Sequence, residues 1–257
     1  MKKLLVASLI AAATLAVAST AGAGARDRDG SIAFTRYDNN VDLYNNHDNG
    51  DDHPLASGVT YRASLFPLAI TVHPTDGLWR GSQWVEKNGL VEGTQRTGGT
   101  YGYVQLHHTY GHDSHGKISS WGLGLLTIET GVAHTPSVQT TMQHLRARLG
   151  DVSTSGVKTI RVAGFSGLSF DGRLKDGVGA FHRFVPFSSS DGSKPSTDSY
   201  KIEANYGKGG AFRVIVVDVH GRTVVMYLDS FTAPAAKFPV FLRAADSILS
   251  TMAFAKQ

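Results

Sequence analysis

Cysteine is absent from this sequence of 257 residues. No disulfide can therefore stabilise the fold, so its stability must come from a hydrophobic core. Thiolate nucleophiles and zinc sites with cysteine ligands are excluded for the same reason. A lipid anchor at a processed N-terminus is excluded as well, because its attachment needs a cysteine after the apolar leader.

Several motifs of cofactor and nucleic-acid chemistry are also missing. The sequence has no Gly-rich phosphate loop, no H-E-x-x-H pair and no dinucleotide fingerprint, so we predict no cofactor. The formal charge of +4 includes Lys2 and Lys3, and no run of Lys and Arg with interleaved aromatic residues accompanies it. We therefore expect no nucleic-acid partner.

The first 25 residues follow the three-part pattern of a secretory signal peptide. Lys2 and Lys3 form the basic start, an apolar run begins at Leu4, and small residues then provide two A-x-A cleavage sites. The run is shorter than the roughly 20 apolar residues of a membrane span. We expect cleavage after Ala23 or Ala25, a secreted or periplasmic location in a bacterium, and no stable membrane insertion after cleavage. The alternative is a retained N-terminal anchor.

Residues 26–58 are rich in Asp and Asn and show no sustained hydrophobic period, which indicates a flexible N-terminal segment. Calcium binding is the alternative, because Asp and Asn oxygens are ligands that calcium prefers. The calcium-loop template fails, since with Gly50 as its central glycine Ala56 stands where a bidentate Glu is needed. Residues 59–257 contain no internal repeat or long linker, so we expect one α/β domain there.

Alternating apolar and polar residues predict several hairpins in this domain. Tyr101 to Tyr110 and Gly122 to Thr130 read as two strands, with the histidine-rich stretch near the tip between them. A later hairpin turns at His220-Gly221, and its first strand is apolar on both faces. A sheet that is buried on both sides needs covering layers, which helices can supply.

Two helices are predicted as those layers. Thr135 as N-cap and Pro136 at the first helical position open one helix, which Gly150 ends. The second is expected at about Lys237 to Ser250. Its predicted buried face consists of four residues at helical spacing, namely Phe241, Ala245, Ile248 and Leu249.

Three stretches together resemble a known layout. They are "HPTDGLW", the hairpin "VKTIRVAGFSGLSFDG", and the closing hairpin "VIVVDVHGRTVVMYL" followed by "FLRAADSILSTMAF". Between about Val59 and Phe254 the chain resembles exported bacterial proteins of unknown function with a PsbP-like α/β/α sandwich layout. The resemblance implies an α+β fold, in which helices cover a mostly antiparallel β-sheet. It also implies an accessory or binding role, since the PsbP-like family is largely non-enzymatic, and it assigns no site residue.

Hydrolase motifs are weak in this sequence. The nucleophile elbow G-x-S-x-G needs a glycine two residues after the serine, but Gly167 follows Ser166 directly. A carboxylate pair for glycoside hydrolysis would meet only in space, so the sequence leaves it open. Asp218 interrupts an apolar strand, and the simplest interpretation is a strand-end acid near a turn, with Arg213 or Arg222 as its partner. We predict no catalytic residue.

Aromatic residues concentrate between Tyr61 and Trp121. Binding sites are typically lined by aromatic rings with a few polar groups, so this concentration indicates a ligand groove. The candidate ligand-binding residues are Trp79, Trp84, Tyr103 and Tyr110. The alternative is packing in the sheet and core, where aromatic residues are also common.

The stretch "LHHTYGHDSHG" contains four histidines within nine positions. His107 and His108 are neighbours on a predicted strand, so they should point to opposite faces and cannot bind one ion together. A zinc site would need one of them with residues beyond the strand, and the candidate set is His107, His112 and His115. The alternative is a solvated loop that binds metal weakly.

These observations predict an exported, non-catalytic accessory or ligand-binding protein, whose partner is an unknown small molecule or an envelope protein. The alternative is a secreted hydrolase or metal-dependent enzyme that uses the His-rich hairpin 107–115.

Export can be tested first. Mass spectrometry of the protein recovered from the medium or periplasm should find an N-terminus at Gly24 or Arg26, because cleavage follows the small residues of an A-x-A site. An intact Met1 on a membrane-bound product would contradict this prediction.

Overall fold

The structure is a computed structural model. It describes residues 30–34, 53–63, 66, 68–87, 90–91, 95–96, 100–109, 122–131, 135–147, 149, 152–174, 180–184, 199–203, 210–230 and 235–255. The predicted signal peptide and most of the histidine-rich stretch, with His112 and His115, lie outside the described residues.

Strands make up most of the regular structure. In chain order they are β1 (Ile32–Ala33), β2 (His53–Pro54), β3 (Tyr61–Ala63), β4 (Ala69–Val72), β5 (Trp79–Lys87), β6 (Leu90–Val91), β7 (Gln95–Arg96), β8 (Thr100–Thr109), β9 (Gly122–Gly131), β10 (Val152–Thr154), β11 (Lys158–Val162), β12 (Phe165–Leu174), β13 (Ala180–Phe184), β14 (Ser199–Glu203), β15 (Ala211–Val219), β16 (Arg222–Asp229) and β17 (Ala253–Ala255). The α-helices of the described part are α1 (Val138–Ala147) and α2 (Phe238–Thr251), and a short 3-10 helix at Ala235–Lys237 leads into α2. Neither helix is long and apolar enough to cross a membrane.

The larger sheet of the described chain has nine strands. Its order is β10-β12-β15-β16-β9-β8-β5-β2, and β11 pairs with β12 beside β10. All its pairings are antiparallel. The turn between β15 and β16 lies at His220-Gly221, where φ is 56° and 82°. Two successive positive φ angles are what a type I′ hairpin turn requires, so the predicted hairpin is confirmed.

A second sheet has four strands in the order β1-β3-β4-β17. Together with α2 it covers one face of the larger sheet. A single buried apolar cluster joins Tyr61, Ile70 and Phe254 of this sheet to Phe241 and Ile248 of α2, and continues into β8, β9, β15 and β16. The four residues predicted to form the buried face of the last helix are all buried.

The opposite face of the larger sheet carries a smaller apolar cluster. Val138, Met142 and Leu145 of α1 pack there against side chains of β10, β12, β15 and β16, among them Phe170 and Val214. Both faces of β15 and β16 are therefore buried, as their apolar sequences predict.

The prediction of an α+β fold with helices covering the sheet in a PsbP-like sandwich is wrong. The described residues form a mostly β structure, and a second sheet supplies much of one covering layer. The strands of that sheet have two to four residues each, which is too short for a period of two to be recognised. β1 also lies in the stretch predicted to be a flexible N-terminal segment, as does β2, and Phe34 and Leu55 beside them are buried.

Helix α1 begins at Val138, two residues later than predicted. Ser137 acts as its cap, because its Oγ accepts a hydrogen bond from the Thr140 N–H at 3.1 Å. Thr135, the predicted cap, instead accepts a hydrogen bond from the Thr223 N–H at 2.6 Å. This contact ties the chain before α1 to the start of β16.

Helix α2 depends on a glycine in β9. A Cβ atom at Gly124 would lie 2.3 Å from the ring of Phe241. The phenyl ring of α2 therefore sits directly on the backbone of β9, and only glycine leaves room for it.

We expect Gly124→Ala to lower the free energy of unfolding by about 1–3 kcal/mol, because the added methyl must displace the buried ring. Chemical denaturation of the purified protein measures this change. Gly156→Ala is the matched control, since a Cβ there meets nothing within 4 Å and φ is not positive. Equal effects of the two substitutions would show that Phe241 does not rest on Gly124.

Candidate functional site

Strand β8 carries polar side chains on both of its faces. Val104, Leu106 and His108 lie on the face that joins the large apolar cluster, and Val104 and Leu106 are fully buried in it. Gln105 and His107 lie on the opposite face and are half-buried. The prediction that His107 and His108 point to opposite faces is thus confirmed, as the period of two in a strand requires.

On the core face, His108 is bound to the turn that precedes β5. Its Nε2 lies 3.2 Å from Oδ2 of Asp76. Oδ1 of the same carboxylate accepts a hydrogen bond from the Leu78 N–H at 2.9 Å. Thr109 adds two bonds, because its N–H and its hydroxyl both donate to the Leu78 carbonyl. These contacts fasten the turn to the end of β8.

The ring of His108 also contacts the core. It meets the indole of Trp79 edge-on, with ring centroids 4.8 Å apart, and only 6 % of His108 is exposed. Its hydrogen-bonding partner among the described residues is Asp76, and Nδ1 is buried. Because both ring nitrogens face the protein interior or Asp76, this imidazole is placed for structural anchoring rather than for proton transfer to a solute.

The other face of β8 and of its neighbours β5 and β9 carries a group of polar residues. Gln105 Nε2 donates to His107 Nε2 at 2.9 Å. Arg80 of β5, which is half-buried, is the direct cross-strand partner of His107, and Thr127 of β9 is the partner of Gln105. Thr127 and Glu129 of β9 are buried on this face. We call these five residues, Arg80, Gln105, His107, Thr127 and Glu129, the polar face.

Residues that are register partners on successive strands form rows across the larger sheet. Two such rows change from apolar to polar residues between β16 and β9. One row runs from Val216 through Val225 to Glu129 and Tyr103, and the next runs from Val214 through Tyr227 to Thr127 and Gln105. The apolar members of both rows belong to the cluster under α1. In these two rows the face therefore changes from apolar in β16 to polar in β9 within one strand spacing, about 4.8 Å.

The predicted aromatic residues occupy different places. Trp79 is fully buried and contacts His108 and Phe241, so in this structure it packs in the core. Trp84 and Tyr103 are cross-strand partners in β5 and β8, and Tyr103 is in turn the partner of Glu129. Tyr110 lies outside the described residues.

The predicted metal ligands are not brought together in the described part of the chain. His107 lies on the polar face, whereas His112 and His115 are among the residues that the structure does not describe. Within the described ranges, no group of three His, Asp or Glu side chains could hold a metal ion.

Two other residues singled out in the sequence have structural roles. Asp218 is exposed, and its Oδ1 accepts a hydrogen bond from the Gly221 N–H at 2.7 Å, so its partner is the turn backbone. The arginine predicted as an alternative partner, Arg213, forms a bidentate pair with Asp171 at 2.6 and 3.3 Å. Ser166 is exposed near the start of β12, after a turn between two strands, which is not the setting of a nucleophile elbow.

Arg80, Gln105 and Asp76 were not predicted to belong to a site. Arg80 follows Trp79 directly, so the alternation of β5 could have placed it opposite the core. The contact between Asp76 and His108 spans 32 residues and has no local sequence signal.

Comparisons with known proteins add little. No family model matches the chain, and no curated protein matches it. Among solved structures it is similar to LpqN, a protein involved in cell envelope biogenesis of Mycobacterium tuberculosis, at 15% identity over 69% of this chain and 84% of that chain. The TM-score is 0.30, which does not establish a common fold.

The anchoring role of Asp76 can be measured. We expect Asp76→Ala to lower the free energy of unfolding by about 1–3 kcal/mol, because it removes two hydrogen bonds and leaves a buried imidazole without its acceptor. Asp76→Asn should cost less, since its side-chain oxygen can still accept from the Leu78 N–H. Asp246→Ala, on the exposed side of α2, is the control. Equal free energies of unfolding for the Asp76→Ala and Asp246→Ala variants would show that the Asp76 carboxylate does not stabilise the position of His108.

Proposed function

We propose that this chain is an exported, non-catalytic ligand-binding protein, and that it binds a polar ligand on the polar face. The observation that carries the proposal is the change along two cross-strand rows from apolar residues under α1 to a carboxylate, a hydroxyl and an amide, beside His107 and Arg80 in the adjoining row. Apolar residues fill the same rows under α1, so the polar residues that take their place in β9 and β8 set this part of the face apart from the packed part. Polar groups kept there instead have the composition of a recognition surface.

The arrangement of the surface supports binding in a second way. Gln105, His107 and Arg80 are half-buried, so they keep contact with solvent while their strands are held by the core. Trp84 and Tyr103 share the row of Glu129. Aromatic and polar residues side by side are typical of sites for small polar molecules, and we propose both as ligand-binding residues.

The absence of catalysis is part of the proposal. Ser166 lacks the strand–turn–helix setting of a nucleophile, and the buried imidazole of His108 is bound to the partly exposed Asp76. The proposed location, outside the cytoplasm, is supported by the leader pattern. The proposed partner is a small molecule or another envelope protein.

Amide NMR spectra of the secreted protein, recorded during a screen of small polar compounds, test this function. We expect compounds that bind to shift the amides of Gln105, His107 and Thr127. Gln105→Ala should weaken a hit about 3–10-fold, the effect of one lost hydrogen bond.

Lys158→Ala, on the exposed β11, is the control and should leave the affinity unchanged. Shifts that cluster around the His220-Gly221 turn instead, or a hit whose affinity survives Gln105→Ala, would refute a site on the polar face.

A further inference from the structure

We infer that the polar face recognises an anionic oxygen group, a carboxylate or phosphate, through Arg80 and His107. This inference rests on the proposed function and names the chemistry of the ligand. Arg80 and His107 are direct cross-strand partners, which places their Cβ atoms about 4.5–5.5 Å apart on the same face. Two donor groups at this separation can contact oxygens of one bound group.

The chemistry of both side chains fits an oxyanion. A guanidinium presents a planar fork of donors that matches the oxygens of a carboxylate or phosphate. Gln105 Nε2 is a donor only, so its contact with His107 Nε2 makes that ring nitrogen the acceptor. The second ring nitrogen, Nδ1, can then donate, so His107 also offers a donor.

The charges of this face are segregated, which orients an anionic ligand. Glu129 lies two rows from His107, about 13 Å along the strand direction. In the row of His107 itself, Leu125 separates it from Asp229 of β16. The Arg80 guanidinium is therefore set apart from the acidic positions of this face, and an anionic group is attracted to it, with His107 beside it as a second donor.

The backbone around Arg80 is fixed by the core. Trp79 is fully buried, and a Cβ atom at Gly81 would lie 2.7 Å from the side chain of Leu106 in β8. Arg80 thus follows a fully buried residue and precedes a glycine that packs closely against β8. A donor held on a rigid strand loses less entropy on binding than one on a loop.

Benzoate and benzamide are matched probes for this inference, because they share one shape and differ in charge. NMR titration at constant ionic strength should show benzoate binding with shifts at His107 and Gln105, and benzamide binding at least about tenfold more weakly. Inorganic phosphate, titrated in parallel, should shift the same amides. Arg80→Gln should weaken benzoate about tenfold or more, and Arg80→Lys should recover part of the loss.

Arg213→Gln is the matched control, because it removes an arginine elsewhere on the larger sheet, and it should leave benzoate binding unchanged. Equal binding of benzoate and benzamide on the polar face would overturn the inference while the proposed function stands. Anion binding that Arg80→Gln and Arg80→Lys both leave intact would overturn it as well. Shifts from neither benzoate nor phosphate would also overturn it, and the screen of polar compounds would then decide the proposed function separately.

Discussion

The structure depends on covering both faces of β15 and β16. Nearly every side chain of these two strands is buried, so neither strand is stable without a layer above it and another below it. Helix α1 supplies one layer, and α2 with the four-stranded sheet supplies the other. The close contact of the Phe241 ring with Gly124 positions α2 on β9. The chain after α2 forms β17, which pairs with β4.

The face of the larger sheet that packs against α1 is apolar in one part and polar in another. From β12 to β16 this outer face is mostly apolar, with Phe170, Phe212 and Tyr227 among its side chains, and packs under α1. From β9 to β5 that face becomes polar, while the inner face remains part of the apolar core. Strands β15, β16, β9, β8 and β5 are successive hydrogen-bonded neighbours in one sheet. The well-packed strands β15 and β16 therefore help to hold in place the strands that carry the polar face, where we propose that the ligand binds.

Sequence patterns predicted the parts of this fold whose signals are local and long. The apolar strands around His220-Gly221 and the buried face of α2 extend over several periods, and the turn residues match the required positive φ angles. The four-stranded sheet was missed because its strands are too short to show a period. Without it, helices were the remaining candidates for the covering layers, and the fold class was mispredicted.

Some geometry of the candidate site was predictable for the same physical reason. A period of two in β8 predicted the opposite directions of His107 and His108, and the pattern of aromatic residues picked out Trp84 and Tyr103, which share a row with Glu129. The partner of each polar residue depends on register between distant strands, and register is set by core packing rather than by neighbouring sequence. The pairing of Arg80 with His107 follows from such a register.

That register is itself held from the core side. Gly81 and Leu106 are cross-strand partners, and a Cβ atom at Gly81 would lie 2.7 Å from the Leu106 side chain and 3.0 Å from the Phe34 ring. Gln83 Nε2 donates to the Phe34 carbonyl at 2.7 Å. A slip of one residue between β5 and β8 would place Arg80 or Ser82 opposite Leu106 in place of Gly81, and would turn Arg80 toward the core. The packing on one face of β5 and β8 therefore determines which polar groups meet on the other.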